Sequence, residues 1–164
     1  AVGAEEATLA IMAGGDEGVI ARLEPLFLAV GSRLVRVGGQ GAGQVAKLCN
    51  QLIMVSAIEA VAEALHFAQR AGADPERVRE ALAGGSAASR VLDVMGARMV
   101  ERDFEAGVEA RLHHKDFAII EAAAFTQGVP LPLGSQVAQQ LNRLMDLDWG
   151  REDTAALIKV LEGR

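Results

Sequence analysis

The stretch that decides the fold is residues 38–51, which read GGQGAGQVAKLCNQ. Its glycines precede an apolar run that predicts a long helix over residues 43–70. Lys47 lies one turn inside this helix, and at 3.6 residues per turn Asn50 and Gln51 lie on the same face. An ammonium group and two carboxamides beside a flexible backbone can bind an oxygen-rich small molecule.

The same spacing also fits an ordinary solvated helix face. The other residues of the helix indicate which of the two interpretations, solvated face or binding site, is favoured. Its apolar residues point in most directions, which predicts that the helix is largely buried. A lysine in a buried helix must reach a cleft or a partner, because an unpaired buried charge is costly. Lys47 in such a position can serve as a general acid.

Residues 41–46 also fit the pattern G-x-G-x-x-A, and a strand-like segment precedes them at 34–37. A dinucleotide-binding fingerprint needs a second strand that ends in an acidic residue about 20 positions further on. Glu59 and Glu63 fall in that range, but they lie in the middle of the predicted helix. We therefore interpret the glycines as places where the backbone turns sharply or packs closely, and not as the main nucleotide site.

Before the glycines, the pattern predicts strand, helix and strand at residues 8–12, 17–29 and 32–37. Asp16 is placed to cap the helix, and Leu23, Leu26 and Phe27 are expected on its inner side. Lengths of this kind indicate a parallel crossover unit. Because two strands do not make a stable sheet alone, we expect this segment to be the end of a larger nucleotide-binding sheet.

After Gly41 the chain is predicted to be all helical. Asp74-Pro75 opens a short helix, Ser86 is expected to cap the next, and further helices are predicted at 109–126, 134–145 and 152–162. The fold class is therefore mainly α. A multi-helix domain over 41–164 surrounds one long central helix, and a short β-α-β portion of a Rossmann-type domain precedes it at 1–40.

Composition excludes several classes of protein. The net charge is −6 without a basic block, which argues against nucleic-acid binding. Cys49 is the chain's one cysteine, so no internal disulfide can form, and we predict a small core residue there. Glu59, Glu63 and His66 interrupt the apolar run, which favours a buried helix over a membrane span. The single cysteine fits a reducing compartment, so a cytoplasmic protein is expected.

Four segments together resemble the β-hydroxyacid dehydrogenases, in the order in which that family has them. The first is Lys47-x-x-Asn50-Gln51 after its glycines. The others are GAEEATLAIMAGG at 3–15, ALAGGSAASRVL at 81–92 and LHHKD at 112–116. The resemblance covers essentially the whole chain and implies a helical domain similar to the C-terminal part of 6-phosphogluconate dehydrogenase. The Asn50-Gln51 pair, in place of Asn-Asn, and the 81–92 segment are most similar to the tartronate semialdehyde reductase branch.

This resemblance implies an oxidoreductase that reduces a short semialdehyde acid, similar to tartronate semialdehyde, with hydride from NAD(P)H. It assigns Lys47 as the general acid and base, Asn50 and Gln51 as substrate-binding residues, and Lys115 as a contact to the cofactor. A 3-hydroxyisobutyrate dehydrogenase is the alternative within the class. A non-catalytic helical oligomerisation domain is the alternative outside it.

Further expectations follow from the same resemblance. The chain begins in mid-motif without methionine, so we expect a fragment that is inactive alone and whose missing N-terminal part binds most of the NAD or NADP. A homodimer or homotetramer formed through the helical domain is expected.

Ser86, Ser89 and Arg90 are weak substrate-side candidates. His113 and His114 point in different directions on a helix, so we predict no metal site there.

Overall fold

The computed structural model describes residues 2–163, and it separates into two compact units, the first ending at Asn50 and the second beginning at Gln51. Most of the described residues are helical. The elements are α1 (Val2–Glu5), β1 (Leu9–Gly14), α2 (Glu17–Leu28), β2 (Gly31–Gly38), α3 (Ala42–Arg70), α4 (Pro75–Ala83), a π-helical turn (Leu92–Gly96), α5 (Ala97–Glu101), α6 (Ala110–Gln127), α7 (Pro132–Asp146), a 3₁₀ turn (Thr154–Ala156) and α8 (Leu157–Glu162).

The first unit contains the predicted crossover. β1 and β2 pair in parallel with Ile11 opposite Leu34, and α2 connects the two strands. The Asp16 carboxylate caps α2 by accepting a hydrogen bond from the backbone N–H of Val19 at 2.9 Å. The mainly helical fold class with a small parallel sheet is thus confirmed, while α1 was not predicted.

The prediction that α2 buries an apolar inner side is wrong for this chain. Leu23 and Leu26 are 41% and 67% exposed, and no residue of α2 is buried. The physical reason is the width of the sheet. Two neighbouring strands lie about 4.8 Å apart, whereas a helix with its side chains is about 10 Å across, so a two-stranded sheet cannot cover one.

Glycines at the start of α3 permit close backbone packing, as the sequence predicted. A Cβ atom on Gly14 would lie 2.6 Å from the carbonyl oxygen of Gly39 and 2.7 Å from the backbone nitrogen of Gly43. A Cβ atom on Gly43 would lie 2.6 Å from the carbonyl oxygen of Met12. Any side chain at these positions would push the start of α3 away from the end of β1, and Gly41, at φ 86°, adds a left-handed turn.

The second unit packs around its part of α3. Phe117 from α6, Leu141 and Leu144 from α7 and Leu157 from α8 are all at most 1% exposed. On α3 the buried positions in this unit follow the helical period, and they are Gln51, Val55, Ser56, Ile58, Glu59, Ala62, Leu65 and Ala68. The predicted central helix is therefore present, but burial is confined to one side of it.

The opposite side of α3 remains outside this core. Ile53 and Phe67 are 71% and 74% exposed, so the prediction of a helix buried almost all round is too strong. By length and composition α3 could also cross a membrane. The side of α3 that is buried in the second unit carries the polar residues Gln51, Ser56 and Glu59.

The helix predicted after Ser86 begins later than expected. The Ser89 hydroxyl, and not that of Ser86, accepts a hydrogen bond from the backbone N–H of Leu92 at 3.0 Å. The segment then forms the π-helical turn before α5. At that turn a Cβ atom on Gly96 would lie 3.2 Å from Cδ of Arg79, so glycine lets α4 pack closely here.

A buried carboxylate fixes the connection that leads into α6. Asp153 is 2% exposed and caps the 3₁₀ turn through the backbone N–H of Ala155 at 3.0 Å. Oδ2 of Asp153 also accepts hydrogen bonds from the backbone N–H groups of Gly107 and Val108, and it lies 3.4 Å from Nη1 of Arg98. This cap starts the last helical segment after residue 153, not at the predicted residue 152, and it holds the start of the helix that carries the Lys-Asp motif.

Candidate active site

The first unit supplies Lys47 and Asn50. They lie three residues apart on α3, about one helical turn, and both side chains are exposed. Ala46 and Leu48 beside Lys47 are half-buried. The expectation of a buried lysine is therefore not met within this chain, although Lys47 does lie directly after the glycine-supported start of the helix.

The second unit supplies Gln51, and here the surroundings are different. Gln51 is 5% exposed, and its Nε2 donates a hydrogen bond to Oδ2 of Asp116 at 2.8 Å. Asp116 belongs to α6 and stands 65 positions further along the chain. Two segments that the sequence analysis singled out separately, Lys-x-x-Asn-Gln and Lys-Asp, thus meet in one hydrogen bond.

Asp116 also binds the lysine beside it. Its Oδ1 lies 2.8 Å from Nζ of Lys115, whose side chain is 63% exposed, whereas that of Asp116 is 18% exposed. Partial burial alone would raise the pKa of Asp116, but hydrogen bonds from Lys115 and Gln51, with the nearby His113, lower it below its usual value. The carboxylate is therefore ionised at neutral pH, although most of the Asp116 side chain is shielded from solvent.

The two adjacent histidines have separate partners. Nδ1 of His113, which is 4% exposed, lies 2.6 Å from the hydroxyl oxygen of Thr154. Nε2 of His114 lies 2.8 Å from Oδ1 of Asn142. Across residues 2–163 no cluster of three or more His, Cys, Asp or Glu side chains could hold a metal ion. The contact between His113 and Thr154 joins α6 to the 3₁₀ turn, about one helical turn before Asp116.

The weaker candidates are placed as follows. Ser86, Ser89 and Arg90 are all exposed, and the structure gives the Ser89 hydroxyl a capping role. Cys49 is exposed, so its prediction as a core residue is wrong. The error has a simple origin, because the prediction extended the burial of the later turns of α3 to its first turns.

A shallow groove of about 660 Å³ runs along α6 beside Lys115. Three alanines, Ala118, Ala122 and Ala123, line it together with Ile119. Small apolar side chains next to an exposed ammonium group can accept a flat, anionic ligand.

Comparison with known protein families decides the class of the chain. Residues 41–161 match the family model described as NAD-binding of NADP-dependent 3-hydroxyisobutyrate dehydrogenase, and residues 1–39 match the model described as the NAD binding domain of 6-phosphogluconate dehydrogenase. The chain belongs to the 3-hydroxyisobutyrate dehydrogenase-like family. The resemblance read from the sequence is confirmed, and so is membership in an oxidoreductase family that uses NAD or NADP.

Individual members of this 3-hydroxyisobutyrate dehydrogenase-like family are similar over nearly the whole chain. A 2-hydroxy-3-oxopropionate reductase of Escherichia coli is 45% identical over 161 residues, which are 98% of this chain and 55% of the relative. The crystal structure of a 3-hydroxyisobutyrate dehydrogenase from Salmonella typhimurium superposes with a TM-score of 0.90 at 28% identity. That superposition covers 97% of this chain and 56% of the other.

A 3-hydroxyisobutyrate dehydrogenase of Mycobacterium tuberculosis, solved together with L-serine, has a TM-score of 0.88 at 28% identity and covers 98% of this chain and 57% of that one. The chain thus spans about half the length of the relatives it matches.

Proposed function

We propose that the complete protein reduces a short semialdehyde acid, similar to tartronate semialdehyde, to its hydroxy acid with NADH or NADPH. The observation that carries this proposal is the hydrogen bond between Gln51 and Asp116, which joins the Lys-x-x-Asn-Gln and Lys-Asp motifs. The 45% identity to a 2-hydroxy-3-oxopropionate reductase favours this substrate class. 3-Hydroxyisobutyrate dehydrogenase is the alternative substrate specificity.

In this mechanism Lys47 donates a proton to the carbonyl oxygen of the aldehyde during reduction and accepts the hydroxyl proton in the reverse direction. Asn50 and Gln51 hydrogen-bond the oxygens of the substrate and fix its orientation. The bound nicotinamide cofactor supplies the hydride. Lys115 contributes an exposed positive charge beside the alanine-lined groove of α6, which suits a ribose or carboxamide region.

We extend the proposal to the organisation of the protein. Residues 1–40 are the end of the nucleotide-binding domain, and residues 41–164 form a helical domain similar to the C-terminal domain of 6-phosphogluconate dehydrogenase. The location is cytoplasmic. Most of the cofactor contacts then belong to the nucleotide-binding domain, and the 164-residue chain alone is inactive.

The test measures the reduction of tartronate semialdehyde and of methylmalonate semialdehyde by the complete protein, each with NADH and with NADPH. The 164-residue chain, which is expected to be inactive, is the control. We expect tartronate semialdehyde to be reduced with a higher kcat/KM than methylmalonate semialdehyde. The reverse preference would assign the protein to the 3-hydroxyisobutyrate branch. Absence of turnover with both semialdehydes and both cofactors would favour the non-catalytic helical oligomerisation domain.

We also propose that the helical domain associates with a second copy of itself. Its surface exposes Ile53, Phe67, Phe125 and Leu133 at 71%, 74%, 90% and 63%. Between α3 and the start of α7 lies an apolar groove of about 440 Å³, lined on α3 by Leu52, Ile53, Ser56, Ala57 and Ala60. Exposed apolar area of this extent is typical of an interface.

The expected assembly is a dimer or a tetramer with two-fold symmetry. Sedimentation equilibrium of the complete protein at micromolar concentration measures it. A monomer mass would mean that these side chains are covered by other parts of the same chain.

A further inference from the structure

Asp116 occupies a position between two residues of the proposed site. One carboxylate oxygen accepts a hydrogen bond from Nε2 of Gln51 at 2.8 Å, and the other lies 2.8 Å from Nζ of Lys115. Gln51 is 5% exposed, so little water can replace this partner. A single carboxylate therefore contacts both a substrate-side amide and a cofactor-side ammonium group.

The chemistry of the pair fixes the orientation of Gln51. An amide side chain has two ends, with donors on the nitrogen and acceptors on the oxygen, whereas an ionised carboxylate is an acceptor only. If the Gln51 amide turned over, its carbonyl oxygen would face a negatively charged oxygen. Asp116 therefore selects one of the two orientations and turns Oε1 of Gln51 away from itself.

The geometry points to Asp116 as a positioning residue that acts on the substrate through Gln51. This inference rests on the proposed function and adds to it a residue and a direction for the amide. The link to Lys115 is weaker, because the ammonium group is 63% exposed and exposed ion pairs contribute little. Loss of Asp116 is therefore expected to affect the binding of the semialdehyde much more than that of the cofactor.

Kinetics of the complete enzyme separate these effects. We expect Asp116→Asn to raise the KM for the semialdehyde about tenfold or more, the range for loss of a hydrogen bond to a charged group. The cofactor KM should change less than about threefold. Asparagine is nearly isosteric but can both donate and accept, so it accommodates either orientation of Gln51. Glu121→Gln removes an exposed carboxylate on the same helix and is the matched control.

A double-mutant cycle shows whether Asp116 acts through Gln51. If it does, Gln51→Ala combined with Asp116→Asn is no worse than Gln51→Ala alone. Multiplication of the two single effects would overturn the inference, as would an unchanged semialdehyde KM in Asp116→Asn. If Asp116→Asn fails to fold, Asp116→Glu is the second variant. It keeps the negative charge but places the carboxylate one methylene group further from the backbone. An intermediate rise in the semialdehyde KM then supports the inference, and a wild-type KM overturns it.

A measurement without substrate distinguishes this inference from the proposed function. In the complete protein labelled with ¹⁵N-glutamine, the side-chain NH₂ signal of Gln51 is identified by its loss in Gln51→Ala. Its hydrogen exchange is expected to be slow in wild type and in Glu121→Gln, and at least about tenfold faster in Asp116→Asn. Equal exchange in all three would overturn the positioning role. If no semialdehyde is reduced but exchange follows the expected pattern, the proposed function fails and the hydrogen bond stands.

Discussion

Lys47→Ala in the complete enzyme is expected to lower turnover by at least about 10²-fold, the typical contribution of a general acid. The substitution removes the proposed proton donor for the carbonyl oxygen. It leaves α3 intact, because alanine is a strong helix former and the side chain of Lys47 is exposed. The affinity for the cofactor should barely change. Steady-state kinetics with the semialdehyde, together with cofactor titration, measure both quantities.

Lys47→Arg is the matched control for charge. Arginine keeps the positive charge but does not release its proton in proteins. If Lys47 transfers a proton, Lys47→Arg is nearly as slow as Lys47→Ala. If Lys47 acts only as a positive charge, Lys47→Arg recovers most of the turnover. Turnover of Lys47→Ala within a few-fold of wild type would contradict both roles.

Local signals in the sequence predicted most of the helices and strands. The apolar period located α3 to within one residue at its start, and Asp16 and Asp74 were placed correctly as caps. The π-helical turn at Leu92–Gly96 was missed. Ser86 was expected to cap this segment, but the path of the backbone gives that role to Ser89, three residues further on.

The site was harder to predict because its central contact is not local. Gln51 and Asp116 are 65 positions apart, so no spacing in one sequence can pair them. Exposure was also misjudged at the first turns of α3, where Cys49 and Lys47 were expected inside. Hydrophobicity shows that a helix has apolar residues, but which of its turns are covered depends on elements that pack against it from elsewhere in the chain.

The same limit applies to Glu59, which the sequence presented as an interruption of an apolar run and as a rejected acidic residue of a dinucleotide fingerprint. The structure buries it to 5% exposure on α3. Among the described residues, neither of its carboxylate oxygens has a hydrogen-bond partner. Burial, and to a smaller extent the charge of Glu63, raises the pKa of Glu59 from its usual 4.5 to about 7. A buried carboxyl without partners favours its neutral form.

This raised pKa makes the stability of the second unit depend on pH. Between the unfolded pKa of 4.5 and the folded pKa of about 7, the folded chain keeps a proton that the unfolded chain has lost. Stability therefore falls as the pH rises through this window and levels off above it. A shift of this size corresponds to about 3 kcal/mol. Glu59→Gln cannot ionise, so it is expected to be more stable than wild type by about 2–3 kcal/mol at pH 8 and similar to it at pH 5.

Urea unfolding of the chain at pH 5 and pH 8 measures this effect, with the fluorescence of Trp149 as the probe. Trp149 is the one tryptophan of the sequence and lies in the same unit as Glu59. Glu63→Gln is the control, because Glu63 is exposed and contributes less to the raised pKa of Glu59 than burial does. Its effect should be much smaller than that of Glu59→Gln. A difference between Glu59→Gln and wild type that is the same at both pH values would show that Glu59 does not titrate in this window, and that its carboxylate finds a partner in solution.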